Sequence, residues 1–273
     1  MKKLLIITDL DASFIDDNYQ YTEAADAIER LRALDYPLIF NSSKTLAEIQ
    51  SLAKELDVTT PIIAENGGII AVPHTSDLAP FCDSSEWQSD EKYKTLITGL
   101  SRDYILTHAH SAHAEHGYLF TGFSDMLDEE LSSITGLTKD EAHMAKQRNV
   151  SEPILWQDTP ERWGTFCTFL ESKGIRTLRG GRFIHLMGPA DKADGLHATC
   201  ALYQKCYPDI KWTSVALGDS ANDQSMLEAA DIGIIIPHAD GVKVQASGTH
   251  ISQAKYPASK GWNDSILKLL TTI

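Results

Sequence analysis

The chain has 273 residues, of which 42% are hydrophobic and 23% charged. That composition excludes a disordered or collagen-like chain and leaves ample apolar surface for a core. With 24 basic against 38 acidic residues the formal net charge is −14. This argues against loose electrostatic binding to nucleic acid or to an anionic membrane. An anionic substrate remains compatible, because a few local cations or a metal ion reverse the sign of the field at a site. The four cysteines, Cys82, Cys167, Cys200 and Cys206, form no CxxC pair and read as reduced thiols. The first apolar run is too short for a signal peptide, and no segment is long enough to span a bilayer. The expectation is a cytoplasmic protein.

Leu4 to Ile7 is a short, wholly apolar run, as in a strand covered on both faces of a parallel sheet. Thr22 is placed to cap a helix whose apolar stripe is Ala24, Ala27, Ile28, Leu31 and Leu34. Pro37 to Phe40 predicts a second strand, ending at Asn41-Ser42-Ser43-Lys44. Thr45-Leu46-Ala47-Glu48 has the form of a capping box, with Ile49, Leu52, Ala53 and Leu56 on the apolar face of the helix that follows. Pro61 to Ala64 predicts a third strand, followed by Glu65-Asn66-Gly67-Gly68. Alternating strands and helices point to an α/β, doubly wound parallel sheet.

From about Cys82 to Arg148 the chain is polar, helix-leaning and poor in strand runs, with Asp83 to Asp90 reading as a linker. Ile154 to Trp156 predicts a short strand. A helix starts at Thr159-Pro160-Glu161, with proline at its first position. Ile175 to Leu178 and Phe183 to Met187 read as a hairpin around Arg179-Gly180-Gly181-Arg182. These segments suggest an inserted α+β unit. The first pattern then resumes, with a helix over Lys192 to Tyr207 and a strand at Val215-Ala216-Leu217 ending in Gly218-Asp219-Ser220. A helix over Asn222 to Ala230 and an apolar strand over Ile232 to Ile236 follow. The expected division is a core of residues 1–84 and 187–273, interrupted by an inserted cap of residues 85–186.

Ligands of open parallel sheets bind beyond the carboxyl ends of the strands, where three segments collect polar side chains. Asp9 and Asp11 crowd two carboxylates just past a buried strand, which is costly unless a cation is shared; Mg²⁺ takes such hard oxygen ligands. Ser42, Ser43 and Lys44 offer hydroxyls, backbone N–H groups and a positive charge near a helix start, which suits phosphate. Read alone, that segment is better explained as a serine-rich helix cap. Gly218-Asp219-Ser220-Ala221-Asn222-Asp223 places two carboxylates and an amide within five residues, an oxygen cluster that fits a hard cation.

The order and spacing of Asp9-Leu10-Asp11-Ala12-Ser13 and Gly218-Asp219-Ser220-Ala221-Asn222-Asp223 resemble the haloacid dehalogenase superfamily of phosphotransferases. Ala64-Glu65-Asn66-Gly67-Gly68 and Ser42-Ser43-Lys44-Thr45 resemble its Cof-like branch, in which a cap follows the third core strand. Adding Ser151-Glu152-Pro153, Gly180-Gly181-Arg182-Phe183 with His185, and Asp191-Lys192, the chain is similar to the mannosyl-3-phosphoglycerate phosphatase family over nearly its whole length.

The resemblance implies a Mg²⁺-dependent phosphatase that releases phosphate and mannosylglycerate through an aspartyl-phosphate on Asp9. Asp11 would act as general acid and base, and Asp9, the Asp11 backbone carbonyl and Asp219 would hold the metal. Asn222 and Asp223 would lie in the metal's outer shell, and Ser42, Ser43, Lys44 and Lys192 would bind the phosphoryl group. Arg148, Arg182 and His185 of the cap are candidates for the sugar-glycerate part of a small phosphorylated substrate. Glucosyl-3-phosphoglycerate, sucrose phosphate, a phosphomutase reaction and a non-catalytic sensor of a phosphometabolite are the alternatives.

Two positions depart from the family pattern. Ala12 stands where glycine is usual, and Lys192 is followed by Ala193-Asp194-Gly195 rather than directly by glycine. His108, His110, His113 and His116 are not expected to form a zinc site. The tryptophans read as packing anchors, with Trp156 or Trp163 able to face the cleft.

Overall fold

The computed structural model describes residues 2–16, 19–180 and 182–272. The chain begins with β1 (Lys2–Thr8), α1 (Ala25–Ala33), β2 (Leu38–Asn41), α2 (Leu46–Glu55) and β3 (Ile62–Ala64). Three further strands follow, β4 (Ile69–Pro73), β5 (Trp87–Ser89) and β6 (Tyr93–Ile97). A second unit then comprises α3 (Arg102–His116), β7 (Phe120–Gly122), α4 (Asp128–Thr135), α5 (Lys139–Lys146), β8 (Ser151–Trp156), α6 (Pro160–Glu171), β9 (Arg176–Arg179) and β10 (Ile184–Met187). The chain closes with α7 (Lys192–Cys206), β11 (Lys211–Gly218), α8 (Gln224–Ala229), β12 (Ile232–Ile235), β13 (Ile251–Gln253) and α9 (Ala258–Thr272).

Nine strands form one sheet in the order β13-β12-β11-β1-β2-β3-β4-β6-β5. From β13 to β3 the neighbours are parallel; β4, β6 and β5 continue the sheet antiparallel. The doubly wound α/β expectation holds for the parallel part. In β1, Leu4 and Ile6 face one core with Leu31, Phe40 and Trp262, while Leu5 and Ile7 face the other with Leu196, Tyr203 and Leu227. A strand buried on both faces has no polar side to alternate with, which explains the unbroken Leu-Leu-Ile-Ile run.

The inserted unit has its own four-stranded antiparallel sheet, β7-β8-β10-β9. The β9–β10 hairpin pairs as its sequence suggests, Arg179 opposite Ile184, and Gly181 of its turn lies outside the described residues. Trp156, Trp163 and Phe166 pack together, with Trp156 5.0 Å from Trp163 and 5.1 Å from Phe166. Both tryptophans therefore anchor the insert's own core.

Two sequence expectations are corrected. Residues expected to be linker and cap, 87 to 97, form β5 and β6 of the core sheet, so the insert leaves the sheet after Ile97 rather than at residue 85. β5 at the sheet edge and β6 beside it are part-exposed, carry polar Gln88, Ser89, Lys94 and Thr95, and lack the apolar run that marks a buried strand. Thr22 does not cap α1; Thr22–Ala24 is a 3₁₀ turn and the α-helix starts at Ala25. The capping box of Thr45 and Glu48 on α2 is present as expected.

Candidate active site

The carboxyl ends of β1 and β11 lie side by side, with the Asp9 N–H donating to the Leu217 carbonyl at 2.9 Å. That pairing places Asp9 beside the turn that follows Gly218. A side chain at Gly218 would meet the Asp223 carboxylate, its Cβ lying 2.4 Å from the Asp223 Cβ, so this turn needs glycine. The Asp223 Oδ2 accepts from the backbone N–H groups of Asp219 and Ser220, each at 3.0 Å. Asp9, Asp219 and Asp223 are all buried, and one carboxylate oxygen of each lies within 4.8 Å of the others.

Lys192 joins this group from the start of α7. Asp191 caps that helix by accepting from the Ala193 and Asp194 N–H groups, and Asp194 bonds back in a capping box. Gly195 is where α7 crosses the sheet: a Cβ there would lie 2.4 Å from the Ile63 Cγ2. The glycine displaced along the sequence thus serves a close helix–strand approach. Lys192 is fully buried, and its Nζ lies 2.6 Å from Asp9 Oδ1 and 2.5 Å from Asp223 Oδ1. Lys205, further along α7, instead lies over the Phe81 ring, away from the site.

The electrostatics follow from burial. Desolvation holds the Asp9 carboxyl well above the usual carboxylate range, with Lys192 opposing it and Asp223, Asp219 and Asp11 adding to it. Desolvation also raises Asp219, with Asp223 the largest charge acting in the same direction. For Lys192, desolvation favours the neutral amine, but Asp223 and Asp9 outweigh it and hold the ammonium form. Three carboxylates share one lysine, so the ionised cluster carries a local charge of about −2. Its all-oxygen donors and surplus charge fit a hard divalent cation. Both Asp223 oxygens are engaged, by Lys192 and by two backbone N–H groups.

Asp219 has a partner that sequence reasoning missed. The Asp219 Oδ2 lies 2.6 Å from the His238 Nε2, and Oδ1 accepts from the Ser13 hydroxyl at 3.0 Å. His238 follows the apolar run of β12 at the carboxyl edge of the sheet, the same positional signal that singled out Asp9 and Asp219. Asn222, expected in the metal's outer shell, has protein partners: its amide donates to Asn66 Oδ1 at 3.0 Å and its carbonyl accepts from Ser220.

The remaining candidates surround a second space. Ser42 is buried, and the Lys44 N–H donates to its hydroxyl at 3.3 Å. Lys44 Nζ lies 3.0 Å from Asp11 Oδ1, outside the aspartate cluster. A cavity of about 280 Å³ is bounded by Asp11, Ser43 and Lys44 of the core and by Arg148, Arg182 and His185 of the insert. His185 is held down to about 3 by burial and by the nearby Arg148, so it is neutral at ordinary pH. Arg148 is buried and already bonded, donating to the carbonyls of Ala145 and Ser43 and to the Ser151 hydroxyl. Arg182 is exposed. The histidines of α3 do not gather: His110 contacts Asp125 and His113 contacts the Tyr118 carbonyl. The only cluster of metal-ligating side chains among the described residues is the aspartate group.

Comparisons with known proteins bear on the family and the fold. The family profile of haloacid dehalogenase-like hydrolases matches residues 6–255. A Persephonella marina protein named glucosyl-3-phosphoglycerate/mannosyl-3-phosphoglycerate phosphatase is 32% identical, covering 99% of this chain and 98% of its own. A Methanococcoides burtonii protein of the same name is 33% identical, covering 98% of this chain and 97% of its own. Among solved structures, a Thermoplasma acidophilum protein superposes with a TM-score of 0.66 at 16% identity over 100% of both chains. The sucrose-phosphatase of Synechocystis, solved with sucrose and phosphate, gives 0.60 at 16% identity over 98% of both chains. These last two likenesses concern the fold alone.

Proposed function

Because this chain belongs to the haloacid dehalogenase-like hydrolase family, we propose that it is a Mg²⁺-dependent phosphatase of glucosyl-3-phosphoglycerate or mannosyl-3-phosphoglycerate. The observation that carries the reading is the 280 Å³ cavity, where the phosphate loop and Asp11 of the core face Arg148, Arg182 and His185 of the insert. The near full-length similarity to two proteins named for these substrates supports it.

In this reading Asp9 and Asp219 hold the cation, with the Asp11 backbone carbonyl. Bound there, Mg²⁺ would neutralise phosphate charge that the aspartates otherwise repel. The Asp9 carboxylate attacks phosphorus, the bond from phosphorus to the ester oxygen breaks, and Asp11 protonates the departing alcohol. Asp11 then takes a proton from water as that water attacks the same phosphorus, which releases phosphate and restores Asp9. Lys192 holds Asp9 in place and, with Ser42, Ser43 and Lys44, meets the phosphoryl oxygens. Arg148, Arg182 and neutral His185 receive the carboxylate and hydroxyls beyond the phosphate; the planar guanidinium fork suits a carboxylate. Four free cysteines and the absence, among the described residues, of a helix long and apolar enough to cross a membrane accord with a cytoplasmic enzyme.

The test is phosphate release with Mg²⁺ from a panel holding both phosphoglycerates, sucrose phosphate and simple sugar phosphates. Preferred turnover of the glycosyl phosphoglycerates is expected, and Asp9→Asn abolishes it in a protein that still folds. Faster turnover of another ester would replace the substrate reading. Full activity in Asp9→Asn would show that a different residue is the nucleophile.

A further inference from the structure

The turn after β3 holds a buried carboxylate that none of the chemistry above uses. Glu65 has no exposed surface, and it lies in the core sheet's own loop. All three donors to its side chain come from the inserted unit. The Asn149 N–H donates to Oε1 at 2.8 Å, while the Val150 N–H at 3.1 Å and the Ser151 hydroxyl at 2.6 Å donate to Oε2. Among the described residues no lysine or arginine pairs with it directly, so its burial rests on these three bonds.

The main chain of the same turn grips the phosphate loop. The Glu65 N–H donates to the Lys44 carbonyl and the Asn66 N–H to the Ser42 carbonyl, both at 2.9 Å. Glu65 and Asn66 are non-glycine residues in the left-handed region, with φ of 48° and 56°. Such a conformation persists only where the surroundings over-determine it. Here it aims two successive N–H groups at the phosphate loop while the Glu65 side chain points to the insert.

The chain of contacts then closes on itself. The Ser151 hydroxyl that donates to Glu65 accepts from Arg148 Nη1 at 3.0 Å, and the same Nη1 donates to the Ser43 carbonyl at 3.2 Å. Thr45 adds a parallel link, its hydroxyl donating to the Met144 carbonyl at 2.9 Å.

We propose that Glu65 is a positioning residue: a latch that holds the inserted unit closed on the core and so fixes Arg148 over the phosphate loop. Glu65 acts through Ser151 and Arg148 and touches no reacting atom. The inference rests on reading the cavity as the substrate site, and its test separates the two.

Glu65→Gln keeps the backbone bonds to Ser42 and Lys44 but turns an acceptor into a donor that faces the donors of the insert. Ser151→Ala breaks the same relay from the other side and leaves the strained turn untouched. In both variants the amides of Asn149 and Val150 should exchange with deuterium at least roughly tenfold faster, while amides of β1 and β11 keep their protection. Turnover of the glycosyl phosphoglycerate should lose at least roughly tenfold in kcat/KM, mainly through KM. Hydrolysis of para-nitrophenyl phosphate, which reaches only the phosphate loop, should stay within about twofold. In an Arg148→Met background, adding Glu65→Gln should cost little more, because both changes cut one relay. Unchanged exchange at residues 149 and 150, equal losses on both esters, or fully additive losses would overturn the latch. Exchange is read without substrate, so a wild-type protein that ignores the glycosyl phosphoglycerates defeats the substrate reading and leaves the latch to be judged on its amides.

Discussion

Replacing Lys192 with methionine tests whether one lysine balances the aspartate cluster. Methionine fills similar space but removes the ammonium that lies 2.6 Å from Asp9 and 2.5 Å from Asp223. Breaking a buried ion pair from one side costs about 3–5 kcal/mol when the remaining charge finds no partner. Asp9 and Asp219 already have folded pKa values raised above normal. A raised carboxyl favours the folded state below its unfolded value near 3.8, and that contribution is lost as pH rises through the folded value. Without Lys192 both values climb further, so the loss should be fullest in alkaline solution. Urea unfolding in EDTA should show Lys192→Met less stable by about 3 kcal/mol near pH 8, and by clearly less near pH 5, where protons substitute for the lysine. Phosphatase turnover should fall by about 10²–10³, the usual cost of one oriented charge at a transition state. A variant equally stable at both pH values would refute the reasoning, because the carboxylates would then not depend on Lys192 for their charge balance.

Two further outcomes follow from single residues. Ala12 has φ of 56° beside the Asp11 loop, a conformation that costs an L-residue about 1–2 kcal/mol, part of which Ala12→Gly returns as extra freedom of the unfolded chain. The net gain should be about 0.5–1 kcal/mol in thermal or urea unfolding, with turnover unchanged; a loss of stability would show that the methyl group contributes packing. His185, held down to about 3, favours the folded state fully above its unfolded pKa near 6.5, and that contribution is lost as pH falls toward 3. Near pH 5.5 the wild type should therefore have lost about 1 kcal/mol relative to His185→Gln, measured against neutral pH. Parallel stability curves for the two proteins would show that His185 is freely protonated in the fold.

Most of the fold was legible because its parallel strands are buried on both faces and read as apolar runs, as at Leu4 to Ile7 and Val215 to Leu217. The edge strand β5 and its neighbour β6 were not, since strands with part-exposed, partly polar side chains carry no such run. The same division applies to the site. Asp9, Asp219 and Lys192 stand at strand ends or a helix start, where polar residues break an apolar pattern. Their mutual arrangement, with Lys192 between Asp9 and Asp223, depends on α7 seating Gly195 against Ile63, a long-range contact that no local spacing encodes. His238 had the right position but stood alone in sequence, and only Asp219 gives it a role. Glu65 stood out only as part of a family-like motif, and its side chain's role was not legible, because its partners lie more than eighty residues away in another unit.

The charge of −14 bears on function through its distribution rather than its total. The aspartate cluster concentrates negative charge at the carboxyl ends of β1 and β11, and by itself repels a phosphate. The neighbouring cavity has a small positive balance, since Lys44, Arg148 and Arg182 line it against Asp11 and Glu48 and its histidine is neutral. A cation is drawn to the first region and an anionic ester to the second, and Asp11, paired with Lys44, stands at their border. In the proposed reading the phosphate group is the part of a substrate that meets both regions, and a cation held by the aspartates would offset the repulsion of the first. The rest of the substrate would meet only the second region, most of which belongs to the insert. In the proposed reading, chemistry would therefore be set by residues that the core sheet fixes, and substrate choice by residues whose position depends on how the insert is held.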